Sequence, residues 1–175
     1  MTEALAVDAF RRAFSLLPAS FAGDRSVRLE IHAASAMAGL AFTQAGLGLS
    51  HAIAHALGGM YHVPHGRLNA ILLPAVIGCN AHAAGEKYAR LATAVAVGSS
   101  PAVAVRNLRN ALTRLRGQLN MPATLQQAGI DIRSLRQNMG DIVKAALCDP
   151  CCQTNPLSAE DFMVRRILEE VAGRV

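Results

Sequence analysis

Four of the six histidines of this 175-residue chain fall within fifteen consecutive residues, from His51 to His65. The run reads Ser50-His51-Ala52-Ile53-Ala54-His55-Ala56-Leu57-Gly58-Gly59-Met60-Tyr61-His62-Val63-Pro64-His65-Gly66. On a helix, the spacing of His51 and His55 puts both imidazoles on one face, one turn apart, within reach of a single ion. His65 follows Pro64 and precedes Gly66, so a turn there can return a third imidazole to the same point. Neutral imidazole is a good ligand for zinc and for ferrous iron. Ala52, Ala54 and Ala56 leave room beside such an ion for a substrate or cofactor. A lone His-x-x-x-His often only packs or caps, but this density of histidines among Ala and Gly points to a divalent-metal or catalytic site. One hydrolytic chemistry is excluded. A helical zinc protease needs Glu directly after the first His as its general base, and here that residue is Ala52.

The elements that must position this segment read as helices. Ala6, Ala9, Phe10, Ala13, Phe14 and Leu17 follow helical spacing, with Pro18 closing the run. A second helix is expected over about 26–44, and Gly46-Leu47-Gly48 breaks it. Its small residues Ala33, Ala34, Ser35, Ala38 and Gly39 let a neighbouring backbone approach closely. A third helix, about 49–57, carries His51 and His55, with Gly58-Gly59 as its C-cap. After a short loop over Tyr61 to Pro64, helix resumes at about Gly66, with a kink expected at Pro74. The second half reads as helices at about 83–96, 101–118, 123–128, 134–146 and 158–172. Ser100-Pro101 marks one start, as cap and first-turn proline, and Ser158-Ala159-Glu160-Asp161 has the capping-box pattern. No strand alternation, internal repeat or low-complexity linker is visible. The expected fold class is all-α, with 1–175 as one helical domain.

Composition agrees. Hydrophobic residues make up 52 %, charged residues 17 % and aromatics 4 %, with no Trp, so Ala, Leu, Val and Ile must supply the core. That favours close-packed helices over a β-sandwich. The net charge of +5 permits an acidic partner. However, no aromatics interleave with Arg106, Arg109, Arg114 and Arg116 to stack on bases, so they read as a solvated helix face and no nucleic-acid partner is expected. The N-terminus shows no basic region before an apolar run. The longest apolar run, near Ile71 to Cys79, falls well short of the roughly 20 residues that span a bilayer. A cytoplasmic location without membrane association is expected. There Cys79, Cys148, Cys151 and Cys152 default to thiols. Cys148-Asp149-Pro150-Cys151-Cys152 contains a Cys-x-x-Cys but lacks a second pair for a metal knuckle and a βαβ setting for redox work. It reads as a helix-end turn with incidental thiols.

The histidine segment resembles the signature of the iron-containing (group III) alcohol dehydrogenases: a glycine-rich turn, His-x-x-x-His, then Pro-His-Gly ten residues on. The flanks agree, at Ala38-Gly39-Leu40-Ala41-Phe42, Ala45-Gly46-Leu47-Gly48, Asn69-Ala70-Ile71-Leu72-Leu73-Pro74, Asn80-Ala81, Tyr88-Ala89-Arg90-Leu91-Ala92 and Thr154-Asn155-Pro156. The resemblance covers nearly the whole chain and is nearest to members associated with propanediol or ethanolamine utilisation. It implies the C-terminal helical, metal-binding domain of that dehydroquinate synthase-like fold, in an enzyme interconverting primary alcohols and aldehydes. It also implies Fe(II), with Zn as the alternative, as a Lewis acid toward the substrate oxygen, and NAD(P) as the hydride carrier. Position by position, His51 and His65 match two of three histidine ligands. His55 matches a non-ligand histidine beside the nicotinamide and substrate that helps move protons. His62 matches a variable position.

One departure from the family pattern matters. Its remaining ligands come from an Asp-x-x-x-His that precedes everything in this chain, and neither Asp8 nor His32 stands at a matching position. The phosphate-binding Gly-Gly-Gly-Ser turn is not in this sequence either. The expectation is a C-terminal half, with the nucleotide-binding half and the first part of the helical domain missing, weak metal affinity and no turnover by this chain alone. Association as a homo-oligomer, a dimer, is expected. The alternative is a non-catalytic helical interaction module that pairs with itself or with a separate nucleotide-binding chain.

Overall fold

The computed structural model describes residues 1–98 and 100–173. The regular elements among the described residues are helices: α1 (Thr2–Phe21), α2 (Arg28–Ala45), α3 (Leu49–Tyr61), α4 (His65–Cys79), α5 (Ala81–Ala94), α6 (Pro101–Gln118), α7 (Ile132–Gln137), α8 (Met139–Cys148) and α9 (Asp161–Ala172), with a 3₁₀ turn at Pro150–Thr154. This is the all-α architecture expected from the sequence. No single helix among the described residues is long and apolar enough to cross a membrane.

Several boundaries differ from the expected ones, each for a local reason. Pro18 lies inside α1, which continues to Phe21, and Pro74 lies inside α4, which continues to Cys79. Each removes one backbone donor without ending its helix. Helix α3 runs through Gly58-Gly59 and ends at His62, which takes the left-handed conformation (φ 55°, ψ 26°) and donates its N–H to the Gly58 carbonyl. The segment 123–129 forms bends and turns rather than a helix. There the Leu125 and Gln126 N–H groups donate to the carbonyls of Val171 and Ala172 at the end of α9 instead of bonding within their own turn. The expected helix over 134–146 divides at Asn138 into α7 and α8. Asn138 donates its side-chain amide back to the Ser134 carbonyl. The capping box at Ser158 does not form, and α9 starts one turn later with Glu160 as N-cap.

The chain comprises two compact units. One holds Met1–Gly46 and Ala84–Leu119. In it α1 packs along α2 and touches α6. The buried side chains of α1 and α2 are alanines, Ala9, Ala34 and Ala41, which permits the close approach that the small residues of α2 suggest. The other unit holds Leu47–Ala83 and Asn120–Val175. In it α3 packs on α4, on α8 and on the 3₁₀ turn, while α9 packs on α4 and α8. Its core includes Leu49, Ile53 and Leu57 of α3, Leu68, Ile71 and Leu72 of α4, Ile142 of α8, and Val164, Ile167 and Leu168 of α9. Burying an aliphatic side chain of this size contributes about 1.5–3 kcal/mol. The stripe Leu49-Ile53-Leu57 therefore fixes which face of α3 turns inward. It leaves the ring of His51 part-exposed and that of His55 exposed.

Candidate functional site

The rotation of α3 is set by that stripe and its height by its N-terminus. Gly48 precedes α3 in an extended conformation (φ −152°, ψ −166°). The side chain of Asn155 comes so close that a Cβ on Gly48 would lie 3.2 Å from Asn155 Oδ1. That oxygen accepts from the Leu49 N–H at 3.2 Å and from Asn80 Nδ2 at 2.9 Å. Asn155 Nδ2 donates in turn to Asn80 Oδ1 at 2.9 Å and to the Leu157 carbonyl at 2.8 Å. The Thr154 hydroxyl donates to the Leu47 carbonyl at 2.5 Å. The 3₁₀ turn and the segment after it are thus tied to the start of α3 and the end of α4. A helix N-terminus needs partners for its free N–H groups, and the side chain of Asn155 supplies one.

His65 is returned by a three-residue turn. His62 is left-handed, Val63 inserts into the core, and Pro64 leads into α4, of which His65 is the first residue. The three expected site histidines are brought together. Ring centroids are 5.2 Å apart for His51–His65, 5.0 Å for His55–His65 and 6.3 Å for His51–His55. The planes of His51 and His65 are tilted by 49°, whereas His55 and His65 are stacked at 18°. Of the other histidines, His32, His62 and His82 are exposed and none joins this cluster.

These geometries separate the pairs. A ligating imidazole nitrogen about 2.1 Å from an ion keeps its ring centroid about 3.2 Å away, so two rings sharing the ion stand roughly 4.5–5.2 Å apart. His51–His65 fits this spacing and His51–His55 does not. The His55–His65 distance also fits, but nitrogen lone pairs lie in the ring plane, and stacked planes cannot aim at one point. Burial, then the neighbouring rings of His65 and His55, hold the pKa of His51 below its ordinary value of 6.5, against the pull of Asp149. His51 is therefore neutral at neutral pH, the form that ligates. His65 Nε2 accepts from Asn69 Nδ2 at 2.9 Å, and Asn69 Oδ1 accepts from the Ser50 hydroxyl at 2.9 Å.

The structure adds residues that the sequence reading passed over. Asp149 Oδ2 lies 2.8 Å from His55 Nδ1, and Asp149 Oδ1 accepts from the Cys151 N–H at 2.8 Å. Donor atoms of His55, Asp149 and Cys151 lie within 4.8 Å of one another, a His/Asp/Cys cluster with the spacing and chemistry of a metal-ion site. The segment from Cys148 to Cys152, expected to be a turn with incidental thiols, therefore contributes Asp149 and Cys151 to the cluster, while the Cys152 thiol donates to the Ala146 carbonyl. The signal was present in Asp149, which precedes Pro150 as an N-cap residue should, but nothing in the sequence said where that turn would land. Burial opposes the charge of Asp149, but the Cys151 N–H and the His55 ring outweigh it and hold its carboxyl below the ordinary 3.8. Burial, then Asp149 itself, pushes the Cys151 thiol up to about 11, so it is a neutral thiol rather than a ready nucleophile.

Comparison with known proteins covers nearly the whole chain. The profile described as "Fe-containing alcohol dehydrogenase family, C-terminal" matches residues 1–172. The chain is 38 % identical to the 1-propanol dehydrogenase PduQ of Citrobacter freundii, with 97 % of this chain and 48 % of that protein covered. It is 33 % identical to an NADPH-dependent butanol dehydrogenase of Clostridium saccharobutylicum, with 96 % and 44 % covered. Among solved structures it superposes on a 1,3-propanediol oxidoreductase with a TM-score of 0.90 at 32 % identity, over 97 % of this chain and 45 % of that one. The chain spans about half the length of the curated relatives it matches. With the helical fold, the histidine cluster and this match over nearly its whole length, the chain belongs to the Fe-containing alcohol dehydrogenase family and represents its C-terminal, helical region.

Proposed function

We propose that His51 and His65 hold a divalent metal ion, ferrous iron with zinc as the alternative, and that His55 stands beside the substrate to orient it or relay its proton. The whole protein is then an NAD(P)-dependent dehydrogenase that interconverts a short-chain primary alcohol and its aldehyde. The observation that carries this reading is the spacing and tilt of His51 and His65, 5.2 Å and 49°, which suit two imidazoles sharing one ion. The names of the relatives, which act on propanol and butanol, supply the substrate class. When bound, the ion supplies Lewis acidity toward the substrate oxygen. His51, kept neutral by burial and by its neighbours, offers a lone pair without first losing a proton. His65 must give up the hydrogen bond from Asn69 wherever its Nε2 is the ligating atom. The exposed ring of His55 adjoins His65, and the Asp149 carboxylate within hydrogen-bond reach of its Nδ1 can orient it.

Two imidazoles make an incomplete coordination sphere, so metal affinity of the 175-residue chain alone is expected to be micromolar or weaker. Anaerobic titration with Fe(II), and separately with Zn(II), reads this directly. His51→Ala and His65→Ala should each weaken binding by about tenfold or more, while His55→Ala leaves it within about threefold. The opposite pattern, with binding lost in His55→Ala and kept in the other two variants, would move the ion to the His55, Asp149 and Cys151 set and overturn the assignment. The chain alone is expected to reduce no nicotinamide dinucleotide with a short-chain alcohol.

A further inference from the structure

The carboxylate of Asp149 touches no other histidine at hydrogen-bond distance, and its two oxygens have separate duties. Oδ1 is committed to the Cys151 N–H at 2.8 Å, a backbone donor that cannot reverse its role. Oδ2 faces His55 Nδ1 at 2.8 Å. An ionised carboxylate only accepts, so the hydrogen in the second contact belongs to the ring. The turn that carries Asp149 is itself anchored to the start of α3 through Thr154 and Asn155. Asp149 is thereby held against the helix that bears His55 and does not merely brush it at a flexible tip.

We propose that Asp149 is a positioning residue that locks His55 in the tautomer with its proton on Nδ1, leaving Nε2 as the bare nitrogen that exchanges a proton. The proposal rests on the reading of His55 as the group beside the substrate, and it adds which nitrogen acts and what fixes it. A second-sphere carboxylate commonly does this for a working imidazole by holding the ring's other N–H. The Cys151 thiol also hydrogen-bonds the Asp149 carboxylate, but the lock needs only that residue's backbone N–H on Oδ1.

The geometry makes an unusual demand on one conservative change. In Asp149→Asn the Cys151 N–H still requires an oxygen, so the amide oxygen stays at the Oδ1 position. The amide NH₂ then faces His55 Nδ1 and donates to it. A ring nitrogen that accepts cannot carry the proton, so the proton moves to Nε2. Asn caps the 3₁₀ turn about as well as Asp does, so the fold is retained.

The test is long-range ¹H–¹⁵N correlation NMR of the metal-free 175-residue protein, ¹⁵N-labelled at histidine and recorded at about pH 8.5, where imidazoles are neutral. Its ring-nitrogen shifts distinguish protonated from bare positions. The wild type should show His55, assigned by its loss in His55→Gln, with Nδ1 protonated and Nε2 bare. Asp149→Asn should invert this pattern, and Cys151→Ala should keep it. A wild-type ring protonated on Nε2, or an Asp149→Asn ring still protonated on Nδ1 with far-UV circular dichroism unchanged, would overturn the proposal. The measurement involves neither metal nor turnover. A failed lock with intact metal binding at His51 and His65 therefore rejects the positioning role alone, while a failed metal titration leaves the lock standing.

Discussion

His62 holds α3 closed from an unfavourable conformation. A non-glycine residue in the left-handed region costs roughly 1–2 kcal/mol, and His62 sits there at φ 55° with an exposed side chain. Glycine has no such penalty but loses about 0.4–1 kcal/mol more chain entropy on folding. His62→Gly should therefore leave the protein equally stable or stabilise it by up to about 1.6 kcal/mol, read as the midpoint of urea unfolding, with metal binding unchanged. A clear destabilisation would mean that the His62 side chain contributes contacts the structure does not show. The contrast with His51, His55 and His65 is instructive. All four histidines stand in one short run, yet only three have rings in the cluster, because the left-handed residue that turns the chain sends its own side chain to solvent.

Among the elements, the 3₁₀ turn and the start of α3 behave as one piece. Asn80, only 2 % exposed, and Asn155 exchange paired amide hydrogen bonds, and Asn155 also serves the Leu49 N–H. Asn155→Ala would leave the Asn80 amide and a helix N-terminal donor without partners. At about 1–3 kcal/mol per unsatisfied buried group, the expected loss is roughly 2–6 kcal/mol, measured by chemical denaturation. Slackening of the turn should also loosen the contact between Asp149 and His55, seen as a mixture of His55 tautomers. A loss below about 0.5 kcal/mol would show that water replaces the amide without cost. Gly48 belongs to the same piece, because the space a Cβ would take is held by Asn155. The sequence shows Gly46-Leu47-Gly48 as a helix break, and Gly46 does end α2 with φ 77°. It does not show that Gly48 is small because of a residue more than a hundred positions away.

For the whole molecule, acid is the most direct probe of how the site is coupled to folding. The pKa of folded His51 lies below 6.5, so as pH falls through that value the unfolded chain takes up a proton before the folded one does. The contribution of His51 to stability is therefore full above about pH 6.5 and declines below it. The folded Asp149 carboxyl lies below 3.8, so its contribution is present above that value and lost as pH falls through the folded pKa. Thermal melts of the metal-free protein between about pH 8 and pH 3 should show both windows, and His51→Gln should flatten only the upper one. An unchanged upper slope in His51→Gln would show that another group drives it. By itself the sequence determined the helical class, most helix positions and the three histidines of the cluster. These rest on local periodicity and on spacings of a few residues, which are the same wherever the helix lies. Only the tertiary structure decided that α3 passes through its glycines, that Asn138 divides a helix, and that Asp149 and Cys151 stand at His55. It also set the distances and tilts among the three rings, because these depend on how α3, α4 and α8 pack around a common core, and no local pattern encodes that.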